Sequence, residues 1–199
     1  MVVDSSSVGD PGRFRTLGEL EQGLRSLTAP QRAGRVALLV ARLDGGRRET
    51  PAQVRVGPDV GVPGDAWGRR PEPKPEGQIA VMQRDVAELI ANGQPLTLFG
   101  DNLFLELDLS AANLPVGSRV RAGGATLEIT PKPHDGCWKF RARFGPDALR
   151  FVSKPELRDR NLRGIYMRVV EGGELAVGDP VEILARGAAT PAPGFARPG

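Results

Sequence analysis

The chain has 199 residues, 26% of them charged and 40% hydrophobic, with a formal charge of +3. That composition suits one globular domain with a real core. It does not call for nucleic acid as a partner, and no run approaches the roughly 20 apolar residues of a membrane span. The single cysteine excludes an internal disulfide and a paired-cysteine metal knuckle. The first residues carry neither a basic nor an apolar leader region, so the expectation is a cytoplasmic protein, a compartment that suits a lone thiol.

Residues 1–12 are small and polar, which predicts a disordered tail. Helix and linker follow over 13–33. Leu17, Leu20, Leu24 and Leu27 recur at helical spacing, and Thr16 with Glu19 forms a capping-box signature. Strand patterns then dominate: 35–41 is a continuous apolar run, 53–56 alternates, and 78–82 is apolar again. Between them, 57–77 holds five prolines and five glycines around Trp67. A loop of that length without its own secondary structure is uncommon and usually functional. A helix is expected over 84–91, stopped by Asn92 and Gly93. Strands are expected at 96–99 and 103–107, flanking Gly100, Asp101 and Asn102. Strands at 118–122 and 125–130 around Gly123 and Gly124 give the best hairpin signal. Residues 137–162 read as broken helix, 164–170 and 181–184 as strands, and 186–199 as a disordered Gly, Ala and Pro tail.

One echo is internal. Leu-x-Val-Gly-x-x-Val occurs at 114–120 and again at 175–181, each time entering a strand. It reads either as two related strand entries or as the common use of Val-Gly before a strand. Many short strands with glycine turns predict a mostly-β barrel, since closure removes exposed edges.

The stretch 130–145 is the chemical focus. It holds the only cysteine and the only histidine, three residues apart. From Lys132 to Lys154 there are six Lys and Arg against two Asp. Cys137 reads either as a buried structural thiol or as an activated one. A helix start next to it and Arg141 four residues on would both favour the thiolate, which is the nucleophile and metal ligand. Phe140 and Phe144 would anchor that helix in the core. His134 reads as a solvated loop residue or as a general base. Zinc lacks its ligand count. There is no Gly-x-Ser-x-Gly elbow, Walker A loop or dinucleotide fingerprint. Arg158, Arg160, Arg163 and Arg168 extend the basic trend and would suit an anionic ligand.

The runs 96–103, 114–121 and 127–130, then Cys137, then 163–173 and 177–181, resemble in order and spacing the MOSC family, the molybdenum cofactor sulfurase C-terminal domain. The resemblance spans roughly 34–185. It implies a mixed β-barrel of the pyruvate-kinase-barrel-like kind with a few short helices. It also implies a cysteine at a pocket mouth that carries sulfur or ligates molybdenum, here Cys137. The family's Asn-Leu signature falls on Asn102 and Leu103. On this reading Cys137 and Arg141 are the catalytic residues. Asn102, Lys139, His134 and Arg163 line a site for molybdopterin, and Cys137 is also the metal ligand. The activity implied is sulfur transfer or molybdenum-dependent reduction of N-hydroxylated compounds, with a sulfur donor or redox protein as partner. Two departures stand out: Gly100 and Gly136 occupy positions where relatives carry arginine, which would weaken a clamp on the pterin phosphate. The longer sulfurases bind pyridoxal phosphate in a separate domain, so none is expected within this chain. The competing reading is a non-catalytic barrel that binds an anionic ligand or partner protein, with Cys137 structural.

Overall fold

A computed structural model describes residues 2–4 and 8–188. Twelve strands and four α-helices follow in chain order. They are β1 (Val2–Asp4), α1 (Leu17–Ser26), β2 (Ala33–Leu39), β3 (Ala41–Arg42), β4 (Arg47–Glu49), β5 (Gln53–Val56), β6 (Ile79–Gln83) and α2 (Arg84–Ala91). Then come β7 (Leu103–Leu105), β8 (Arg119–Ala122), β9 (Ala125–Ile129), α3 (Trp138–Phe144), α4 (Pro146–Val152), β10 (Ile165–Glu171), β11 (Gly173–Ala176) and β12 (Pro180–Ala185).

Seven strands close into a barrel in the order β10-β6-β7-β2-β12-β8-β9. One neighbouring pair, β6 with β7, is parallel, and the others are antiparallel. Helix α2 and the turn after it supply the crossover that a parallel pair needs. The barrel is filled by side chains such as Val81, Leu105, Leu107, Val120 and Met167, all fully buried. A second core lies outside the barrel wall. There Phe99, Phe104, Phe140, Phe144 and Phe151 pack with Leu20, Met82 and Ile90 under the helices. Phe99 stacks on Phe144 at a centroid distance of 4.2 Å. These aromatics fix α3 against the turn that precedes β7, and that junction positions the site.

Local signals hold where a short-range interaction decides the conformation. Thr16 and Glu19 exchange both capping-box bonds at the start of α1. Asn92 adopts the left-handed conformation that ends α2. Gly123 and Gly124 turn the β8–β9 hairpin. The internal echo is one turn used twice. Gly117 and Gly178 both have positive φ, at 83° and 92°. Ser118 N–H bonds Pro115 O, and Asp179 N–H bonds Ala176 O, at 3.0 and 3.1 Å. The strands they enter, β8 and β12, are barrel neighbours.

Three expectations change. Residues 96–99 form a 3-10 turn rather than a strand. The apolar run there faces the helical core, and Gly100 at φ 75° closes the turn. The 35–41 run divides, because Val40 N–H bonds Asn102 O and Ala41–Arg42 leave the barrel to pair with β4. Of the segment 1–12, expected as a free tail, residues 1 and 5–7 lie outside the described residues, and the others make ordered contacts. Val2–Asp4 pairs with β4, Gly9 N–H bonds Ala142 O at 3.0 Å, and Pro11–Arg13 is a 3-10 turn. At the other end Arg186 is held by Asn113, while the expected tail from 189 onward lies outside the described residues. Among the described residues no helix is long and apolar enough to cross a membrane.

Candidate functional site: a basic cavity at Cys137

Three parts of the chain converge on a cavity of about 350 Å3. The β3–β4 hairpin brings Arg42 and Arg48, the turn before β7 brings Phe99 and Gly100, and the start of α3 brings Cys137, Lys139, Phe140 and Arg143. Ala66 of the 57–77 loop and Arg163, just before β10, complete the wall. Four arginines and one lysine therefore line the space, with no carboxylate among the lining residues. The volume is in the range of small-molecule sites.

The cations divide by how they are held. Arg42 lies against Asp65, which is 2% exposed. Its Nε and Nη2 donate to the carboxylate at 2.9 and 2.5 Å. Burial alone would lower the Arg42 pKa, and Asp65 outweighs it and raises it. Burial likewise pushes Asp65 up, but Arg42 holds it below the usual carboxylate range. Arg163 donates to Asp101 Oδ2 at 2.8 Å and lies over the Phe140 ring. Among the described residues, Arg48 and Arg143 have no carboxylate partner. They donate to main-chain oxygens of Gly46, Arg47 and Leu98, and the Nε of each is buried without a partner. Burial lowers the pKa of both, and in Arg48 the nearby Arg143 and Arg42 add to it. Their guanidinium ends meet above Gly100. A Cβ there would sit 3.6 Å from Arg48 Nη2 and 3.7 Å from Arg143 Nη1. Two such cations, partly desolvated and facing each other, favour an anion between them.

Cys137 is exposed and precedes α3 as its N-cap, with extended φ and ψ of −130° and 178°. A buried structural thiol is therefore not what the fold contains. The cap geometry also explains where Arg141 goes. The helical i, i+4 rule applies only between residues with helical dihedrals, and Cys137 has none. Arg141 is exposed and absent from the cavity wall, whereas Arg143, buried between Phe140 and Phe144 in sequence, reaches it. Lys139 lines the cavity and sits 5.6 Å from the ring of Trp138, which is 71% exposed.

The other expected site residues lie elsewhere. Asn102 is 1% exposed and fully bonded. Its Oδ1 accepts from Ala80 N–H, and its Nδ2 donates to Val40 O and to Asp65 Oδ1 at 2.8 Å. It braces the site from behind and does not touch the cavity. His134 is only 7% exposed on its side chain and packs against Tyr166, with ring centroids 4.4 Å apart and the planes tilted by 37°. It lines a different cavity, of about 340 Å3, with Lys154, Arg158 and Asn161. Its Nε2 is 3.5 Å from Asp101 Oδ1, which accepts no hydrogen bond among the described residues, and its Nδ1 has no partner there either. Burial, then Arg163, Arg42 and Lys132, holds its pKa well below 6.5, so the ring is neutral. It is neither a solvated loop residue nor in the cavity with Cys137. Arg163 belongs to both cavities.

Arg42, Arg48, Asp65 and Arg143 escaped the sequence reading. Arg48 and Arg143 look like ordinary strand and helix cations, and Arg42 and Asp65 are 23 residues apart. Only the Pro and Gly loop around Trp67 hinted at them. Gly100 is the space into which two arginines from elsewhere reach. At Gly136 a Cβ would stand 2.5 Å from Leu149 Cδ1, so that position packs on α4. Among the described residues no group of three His, Cys, Asp or Glu side chains could hold a bare metal ion.

Known proteins with this architecture share little sequence with the chain. The YUAD protein of Bacillus subtilis superposes with a TM-score of 0.56 at 17% identity, over 76% of this chain and 95% of that one. YiiM from Escherichia coli does so at 0.52 and 19% identity, over 77% and 71%. A crystal structure of a hypothetical protein matches at 0.54 and 16% identity, over 78% and 69%. No curated protein sequence matches. The MOSC domain family model matches residues 75–182, just over half of the 199 and most of the barrel from β6 to β12, and the chain belongs to the MOSC domain family.

Proposed function

We propose that the cavity binds the phosphate-bearing molybdenum cofactor, with Cys137 as thiolate ligand to the metal or as carrier of the sulfur delivered to it. The observation that carries this reading is the meeting of an exposed thiol with Arg42, Arg48, Lys139, Arg143 and Arg163 in a cavity without a lining carboxylate. The donor set fits the group. Guanidinium pairs match phosphate oxygens in a bidentate fashion, and a thiolate is a soft ligand. MOSC membership makes this cofactor the leading candidate among anions. When bound, the cofactor supplies a redox-active metal centre.

The chain's own residues have distinct tasks. Arg48 and Arg143 take the most charge-dense part of the ligand, since of the four lining arginines only these two have no carboxylate partner among the described residues. Arg42 and Arg163, each already neutralised on one edge, orient it. Phe99 and Phe140 give the floor an apolar patch and keep water from the inner side. Cys137, exposed at the cavity wall with Arg143, presents its sulfur to the ligand. Two chemistries remain for that sulfur: sulfur transfer from a donor protein, or reduction of an N-hydroxylated compound with a redox partner.

The test is expression in a cofactor-producing host, with molybdenum and phosphate measured on the purified protein. Retention of both, lost in Cys137→Ala and in the Arg48→Ala, Arg143→Ala double variant, supports the metal-ligand form. A gain of one sulfur atom on Cys137 after exposure to a persulfide donor, without metal, supports the carrier form. Neither result in the wild type overturns the reading. A structural-cysteine barrel predicts a thiol protected from alkylation, which the exposure of Cys137 opposes.

A further inference from the structure

One charged side chain at this site is not explained by anion binding. Asp65 places a negative charge directly behind a cavity whose wall is otherwise cationic. By Coulomb's law alone that charge opposes an anion. Its hydrogen bonds suggest what offsets this. The carboxylate accepts from Arg42 N–H, Nε and Nη2, from Trp67 N–H at 2.9 Å, and from Asn102 Nδ2. It thereby fixes one edge of the Arg42 guanidinium. The remaining Nη1 donates a long bond to Gly100 O at 3.4 Å, beside the cavity, which leaves its second N–H for a ligand.

The segment that carries Asp65 is built to hold it still. The 57–77 loop has almost no regular structure, yet Trp67 is 3% exposed and its Nε1 donates to Lys74 O at 2.9 Å. Gln78 Nε2 donates to Pro58 O, and Arg69 Nη2 donates to Arg42 O at 3.0 Å. Asn102, bonded to β6 and to Val40, joins this loop to the barrel wall through Asp65. We propose that Asp65 is a positioning residue: it transmits the rigidity of the barrel, through Asn102, to the Arg42 guanidinium and holds its Nη1 edge at the cavity for the anion. Arg42 and Asp65 both precede the segment 75–182 matched by the family model, so this device is read from the chain's own geometry. It rests on the cavity being an anion site.

The sign of one substitution separates positioning from bulk electrostatics. The single thiol gives the assay: Cys137 alkylation by iodoacetamide is followed while inorganic phosphate is titrated in, and protection reports phosphate affinity. Asp65→Asn removes a negative charge, so a purely electrostatic role predicts tighter phosphate binding. Positioning predicts affinity lower by about tenfold, a factor that one well-placed charge-assisted hydrogen bond supplies. The same substitution in an Arg42→Gln background should then change affinity less than twofold, since Asp65 acts through Arg42. Should Asp65→Asn not fold, Asp65→Glu keeps the charge but shifts the fork, and positioning predicts the same direction of loss. Unchanged or tighter phosphate binding in a folded variant overturns the role of Asp65. No protection of wild-type Cys137 at any phosphate concentration overturns the anion site itself, a different outcome.

Discussion

Two basic regions flank Arg163, and they are built differently. On the Cys137 side, Arg48 and Arg143 rest on main-chain oxygens with no carboxylate partner. On the His134 side, Lys154 is tied to Glu21 and Glu156, Asp135 also lines the space, and Arg158, which has no ion pair among the described residues, is exposed to water. Arg163 in between is paired with Asp101. The same residue types thus yield a wall short of negative charge in one place and a largely neutralised one in the other. Counting cations along the sequence does not distinguish these cases. What distinguishes them is whether a carboxylate is within reach of each cation once it is partly desolvated.

The strongest way to break this comparison is to remove the carboxylates that hold paired arginines. Asp101→Ala would leave Arg163 buried and unpaired, and Asp65→Ala would do the same to Arg42, whose side chain is 17% exposed. Each should cost about 3–5 kcal/mol in chemical denaturation, the usual cost of orphaning a buried charge. A loss under 1 kcal/mol in either would mean that water replaces the carboxylate easily.

Next in size is the anion itself. Arg48→Ala and Arg143→Ala should each weaken phosphate protection of Cys137 by about tenfold. Arg158→Ala, on the His134 side, should leave it within twofold. Equal effects from all three would erase the distinction between the two regions.

The His134 side is sharpened by pH. Its folded pKa lies well below 6.5 because burial and the neighbouring cations disfavour the charged ring. As pH falls, the unfolded chain therefore takes up the proton first. The contribution to stability is complete above about pH 6.5 and is lost as pH drops toward the folded value. Melting temperature should fall from pH 7.5 to 5, and His134→Gln should flatten that slope. An identical slope in the variant would show that His134 is not held neutral by the fold.

The smallest effect belongs to Trp138, which is exposed beside the Cys137 cavity. Trp138→Ala should change stability by less than about 0.5 kcal/mol. A larger loss would mean the ring packs on something in solution.

Much of the architecture was legible in the chain. The capping box at Thr16, the left-handed stop at Asn92, and the paired glycines at 123 and 124 each depend on neighbours within four residues, and each appears as expected. The 96–99 run misled because its apolar residues serve the helical core and not a sheet face. The site was only partly legible. Cys137 stood out by uniqueness, and Lys139 and Arg163 also line its cavity. Arg141 fits only a helical spacing rule that an N-cap residue such as Cys137 does not obey. His134 and Asn102 are near the site but turned to other tasks.

The sequence by itself determined the family, most of the element pattern and the single cysteine that the cavity contains. These rest on local periodicity, turn chemistry and one unique side chain. Tertiary structure alone decided which cations surround that residue and which of them are left without a carboxylate. The pairings that set this, Arg42 with Asp65 over 23 residues and Arg163 with Asp101 over 62, join segments far apart in the chain. Charge at a site is a property of distance and burial, and neither exists until the barrel has closed.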